Sequence, residues 1–168
     1  SDDMGVKHPF EKFKLTKLFV FYLILVSFDI VTTLMTDVDL KYEGNVITTF
    51  FVNNKYEFIV YVYTIAFASV ICVYFSNQYL IKSYYCEKKN VQKLFLSSII
   101  IVFFITHLLS LFWVIPNNIL HNIGINGNTE WPLFQISKLY IHFGVRFYPY
   151  YQIIMQVVLF VFAILIFM

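Results

Sequence analysis

The amino-acid sequence predicts an all-α, polytopic membrane protein. Four transmembrane helices form one bundle, and an interfacial amphipathic helix lies between the third and the fourth. Three observations lead there. Charged residues make up 13% of the 168 residues, against about a quarter in a typical soluble domain. The hydrophobic residues, 60% of the chain, gather in four blocks, each close to the roughly 20 residues that cross a bilayer as a helix. None of the blocks alternates in polarity as a membrane-spanning strand would.

The first span is expected over about 17–36, an apolar run broken by Asp29. The second covers about 58–81 and the third about 94–115, each bounded by polar or basic residues. After the third span, 116–149 reads as a long connection, with Pro116, Asn117, Asn118, Gly124, Gly127 and Asn128 as turn formers. Within it, 133–147 places Phe134, Ile136, Leu139, Tyr140, Phe143 and Phe147 near one helical face. Gln135, Lys138, His142 and Arg146 fall mainly on the other, as in a helix lying at a membrane surface. The fourth span takes 150–168, and Trp131, Tyr140, Tyr148, Tyr150 and Tyr151 suit headgroup depth. The whole of 1–168 is read as a single membrane domain.

The basic residues orient it. Lys7, Lys12, Lys14 and Lys17 precede the first span, and Lys82, Lys88, Lys89 and Lys93 lie in or beside the middle loop. The two other connections hold Lys41, Lys55, Lys138 and Arg146. Eight against four puts both termini and the middle loop on the cytoplasmic side. The first apolar run is too long for a cleavable leader and continues directly into the polytopic pattern. A net charge of +2 gives no reason to expect nucleic acid. Cys72 and Cys86 have neither redox-motif nor metal-clip spacing and are expected to be free thiols.

Asp29 is the one carboxylate within the four expected spans. A charge there costs about 2.5–3.5 kcal/mol even on insertion scales, so it marks a functional site by default. Asp29, Thr32, Thr33 and Thr36 follow i, i+3, i+4, i+7 and share a helix face. His107, Ser110, Val114 and Asn118 form a similar line on the third span. Counted from the inner ends of their spans, Asp29 and His107 fall about twelve and thirteen residues deep, and so are expected to meet. Gln152 and Gln156 add a polar turn on the fourth span, and Glu43, Asn45, Asn117 and His121 add polar groups from the loops. Together they suggest an outward-facing polar cleft floored by Asp29 and His107. Each threonine or serine taken alone has a plainer reading, a hydrogen bond to its own helix backbone.

The run Asp29-x-x-Thr32-Thr33, then Glu43-x-Asn45, then Asn117-Asn118 resembles a family of small uncharacterised multi-pass membrane proteins of archaea and bacteria. Its pattern is D-x-x-T-T…E-x-N-P…N-N, and the resemblance covers roughly 28–120. This chain has Val46 where the pattern has proline. The resemblance implies a site at Asp29, Thr33, Glu43, Asn45 and Asn118 without naming its chemistry.

Several chemistries are set aside on motif grounds. The sequence has no H-E-x-x-H helix, G-x-S-x-G elbow, phosphate-binding glycine loop or C-x-x-C pair. Three readings remain. The first is a binding or translocation site for a cation, a proton or a small polar solute, with Asp29, Thr32, Thr33, Glu43, Asn45, His107, Asn118 and Gln156 as candidate ligands. Four helices make a small transporter, so a homodimer or partner membrane subunit is expected with it. The second is an intramembrane enzyme holding a divalent metal on Asp29, Glu43 and His107 and acting on a lipid headgroup, which His142 and Arg146 would contact. The third is a scaffold subunit whose Asp29 pairs with a basic residue of a partner helix.

The orientation has a direct check. A cysteine placed at Asn128 is expected to react with a membrane-impermeant thiol reagent added outside intact cells; protection there would invert the topology.

Overall fold

Helix follows where apolar, glycine- and proline-free sequence runs long, as it does in the first two of three long helices. The computed structural model describes residues 12–36, 46–85, 88, 90–126, 154 and 157–165. They form α1 (Lys12–Thr36), a short α2 (Val46–Phe51), α3 (Lys55–Tyr84) and α4 (Val91–Asn126). Three of these helices are long and apolar enough to cross a membrane. At about 1.5 Å per residue even α1 exceeds the roughly 30 Å of a hydrocarbon core.

Local capping sets where α3 and α4 begin. The Asn54 side chain accepts hydrogen bonds from the backbone N–H groups of Tyr56 and Glu57, each at 3.0 Å. Glu57 reaches back and accepts from the Asn53 backbone N–H at 2.8 Å. These are the otherwise unpaired first-turn donors of a helix. Asn90 does the same for α4, accepting from the Lys93 N–H at 3.1 Å.

Inter-helix contacts give the helix directions. Pairs between α1 and α4 rise together: Phe19 with Phe104, Tyr22 with His107, Asp29 with Asn118, Met35 with Asn122. Those helices are parallel. Ser27 meets Tyr63, while Tyr22, earlier on α1, meets Ser69, later on α3. So α3 is antiparallel to both. The core between them holds Tyr22, Val26 and Ile30 of α1, Phe58, Ala66 and Val73 of α3, and Phe104 and Leu111 of α4. Ala66, 1% exposed, is small enough to let the helix backbones approach closely. The reverse faces carry Phe21, Ile24, Phe28, Phe67, Ile71, Phe75 and Phe103, all exposed. So broad an apolar exterior points to a bilayer as its surroundings.

Several expectations need correction. The described helices all begin before their apolar windows, and α3 and α4 also end beyond them, at 12–36, 55–84 and 91–126 rather than 17–36, 58–81 and 94–115. The largest change is in α4, which does not stop at Ile115 but runs through Pro116 to Asn126. Asn117 and Asn118 are therefore helical and not turn residues. Proline lacks the N–H that would bond back one turn, but membrane helices tolerate it where neighbouring groups support the backbone. Here Asn118 and Asn122 tie the extension to α1. The short α2 was not foreseen. Three of the four expected spans are found among the described residues, and part of the fourth lies outside them. Of the expected fourth, 157–165 is helical; Ala163 is buried, and the Phe160 ring lies 5.7 Å from that of Phe103 on α4. Glu43, Asn45, Cys86, the interfacial segment 133–147 with His142 and Arg146, and Gln152 and Gln156 lie outside the described residues.

With Pro116 inside a helix, Pro116→Ala restores one backbone hydrogen bond. It is expected to raise the melting temperature in detergent, by an increment worth up to about 3 kcal/mol. In a loop the same change would free the unfolded chain and lower stability; thermal unfolding followed by circular dichroism separates the two.

Candidate functional site

Asp29 sits seven residues before the end of α1, Thr36, about 10 Å along the axis, in the second half of the helix. The 3.6-residue repeat brings Thr32 and Thr33 onto its face. The parallel course of α4 brings Asn118 to the same level from 89 positions away.

The Asn118 carboxamide nitrogen, Nδ2, is the centre of the cluster. It donates to Asp29 Oδ1 at 3.3 Å, to Thr32 Oγ1 at 3.3 Å and to Thr33 Oγ1 at 3.0 Å. Thr33 Oγ1 donates in turn to Asp29 Oδ1, a long contact at 3.5 Å. Thr32 sends its own hydroxyl proton backwards, to the carbonyls of Phe28 at 2.8 Å and Asp29 at 3.1 Å. Thr32 is buried, while Asp29, Thr33 and Asn118 are half-buried. One turn further along α4, Asn122 donates to the Met35 carbonyl at 2.9 Å, capping the end of α1. Hydrogen bonds to a carboxylate are stronger than those between neutral groups. The cluster therefore stabilises a charge that the surrounding apolar residues do not.

His107 belongs elsewhere. Its Nδ1 lies 2.9 Å from the Tyr22 hydroxyl, and the two rings meet edge to face with centroids 5.6 Å apart. Tyr22 is fully buried and packs on Phe104 at 4.8 Å. Position 22 is seven residues from position 29, about 10 Å along the axis, so the expected Asp29–His107 floor is not formed. The error lies in register. Contacting residues of α1 and α4 differ in number by 82 to 91. Taking the inner ends of the apolar windows as level had implied about 78. The expected metal set of Asp29, Glu43 and His107 is corrected with it, since two of its members occupy different levels. Among the described residues no group of three or more His, Cys, Asp and Glu gathers.

Other expected polar groups take their plainer roles. Ser110 donates to the His107 carbonyl at 2.7 Å, Thr64 to that of Val60 at 2.7 Å, and Ser69 to that of Ile65 at 2.8 Å. Two participants were missed altogether, Tyr22 and Tyr63, the latter 2.7 Å from Ser27 through its hydroxyl. In a chain with 13 tyrosines nothing sets these two apart before the register is known. Cys72 is free and exposed on the bundle exterior.

No protein-family model, curated protein or solved structure matches the chain. The cluster has to be read from its own chemistry.

A double-mutant cycle tests this partition. Tyr22→Phe and His107→Gln are expected to be non-additive in thermal stability, with a coupling of about 0.5–3 kcal/mol. Asp29→Asn and His107→Gln are expected to add within about 0.5 kcal/mol. The reverse pattern would restore the Asp29–His107 pair.

Proposed function

We propose that the protein is a small helical membrane protein whose Asp29–Thr32–Thr33–Asn118 cluster binds, or passes on, a cation, a proton or a small polar solute. The observation that carries this reading is the convergence on Asn118 Nδ2 of three oxygens from α1, one of them from a carboxylate within an apolar helix. Carboxylates within spans that face a bundle or a polar cavity mark ion and proton pathways. Asp29 lies in the half of α1 that ends at Thr36, which supports access from that side of the membrane.

The other two readings draw less support. A lipid-headgroup enzyme built on Asp29, Glu43 and His107 needs His107 beside Asp29, and its ring is bonded to Tyr22. A scaffold role needs Asp29 to face a partner helix, whereas it bonds to Asn118 of its own α4.

The test compares the purified wild type with Asp29→Asn by thermal unfolding in detergent. Conditions cover a pH series, alkali and alkaline-earth chlorides, and neutral polar solutes. At least one condition is expected to stabilise the wild type and not the variant, by about 1 kcal/mol or more. Responses that coincide throughout would remove Asp29 from any binding site.

A further inference from the structure

The hydroxyl protons of Thr32 and Thr33 point away from Asn118. Thr32 gives its hydroxyl proton to the backbone carbonyls of Phe28 and Asp29, and Thr33 gives its own to the Asp29 carboxylate. What the two threonines present to Asn118 is lone pairs, and Asp29 Oδ1 adds a third acceptor. Three acceptors thus share the two protons of one amide nitrogen. Such a centre repels anions and accepts a positive occupant, a part that the Asn118 N–H groups play here.

Resting on the binding-site reading above, we infer that this occupant gives way to a small monovalent cation of sodium's size, with Asn118 turning its carboxamide over to become a ligand. The two ends of a carboxamide are nearly equal in size, and half a turn about its last torsion exchanges donor for acceptor. The cluster then offers four oxygens: Asp29 Oδ1, Thr32 Oγ1, Thr33 Oγ1 and Asn118 Oδ1.

Spacing and charge both suit that ligand. Four of the separations among these positions are 3.0, 3.3, 3.3 and 3.5 Å. Oxygens held about 2.3–2.4 Å from a calcium-sized ion stand about 3.3 Å apart along an octahedral edge. Sodium has that size with a single charge. One carboxylate among four oxygens neutralises one positive charge, and a divalent ion would carry a surplus into an apolar helix pair. Neutral oxygen ligands with a single carboxylate suit a hard cation rather than a thiophilic one.

The experiment is thermal unfolding of the full chain in detergent in sodium, potassium, lithium, calcium or choline chloride at equal ionic strength. An alkali cation, sodium foremost, is expected to raise the melting temperature saturably over choline, by roughly 5–10 °C at a hundredfold excess over Kd. Asp29→Asn is expected to lose the rise, and Thr33→Val to need at least tenfold more cation for it. Asn118→Asp supplies a second carboxylate and is expected to move the preference to calcium, a change no merely structural role would produce. Equal behaviour of choline and every alkali cation, or an unchanged rise in Asp29→Asn, overturns the proposal. If instead pH or a neutral solute separates wild type from Asp29→Asn, the cation assignment falls and the binding-site reading stands. If nothing separates them, both fall.

Discussion

The hydrogen bonds from the Asn118 carboxamide to Asp29, Thr32 and Thr33 hold two parallel helices in register where apolar packing alone specifies it weakly. Lipid tails are as apolar as leucine or phenylalanine, so no hydrophobic force favours one alignment of α1 and α4 over another shifted by a turn. Packing and polar contacts must do it. Tyr22 with His107 gives a second tie, and Asn122 on the Met35 carbonyl a third. Slipping α4 by one turn would break all three and leave the Asp29 carboxylate without its Asn118 donor. The placement of α3 against both helices depends on that alignment too, because Ser27 and Tyr22 meet Tyr63 and Ser69 only at this register.

The energetics explain why such a cluster is more than glue. An aspartate near a helix centre costs about 2.5–3.5 kcal/mol on insertion scales. A hydrogen bond to a charged group contributes about 1.5–3 kcal/mol, and two are described on Asp29 Oδ1, one of them long. Cost and gain roughly cancel. A leucine at position 29 would meet no such cost, so stability alone gives little reason for a carboxylate there. On the proposed reading, what the acid adds is a place in the apolar bundle for a positive charge.

Much of this was legible from the chain and some was not, for identifiable reasons. The long apolar runs announced three of the helices, because length and composition suffice for that. The spacing Asp29, Thr32, Thr33 placed three of the four cluster members on one face, because helical period is local. Asn118 stood on a candidate polar line, but helical period could not give its partners, since inter-helix register is a tertiary property; only the resemblance grouped it with Asp29 and Thr33. Treating Pro116 as a stop made α4 too short, and taking the inner ends of the two apolar windows as level put His107 at the wrong depth. The short α2 was hidden for another reason, as six residues rich in threonine and phenylalanine carry no helical signature. Its first residue is Val46, where the resembling pattern has proline. Proline is well accommodated at the first position of a helix, so the departure need not alter the local fold.

Pro116 ties the stability of the α4 extension to the state of the cluster. It supplies no N–H, so the helical bond that would normally reach back to the Phe112 carbonyl is absent. The turns beyond it therefore hold to the preceding helix less firmly than an unbroken ladder would. Among their other anchors are the side chains of Asn118 and Asn122, two and six residues past the proline, both bonded to α1. An occupant that drew Asn118 more tightly to Asp29 would firm the extension, and one that displaced it would loosen the same turns. On the proposed binding reading, occupancy of the cluster and order over the last ten residues of α4 are parts of a single equilibrium, set by where the chain places Pro116.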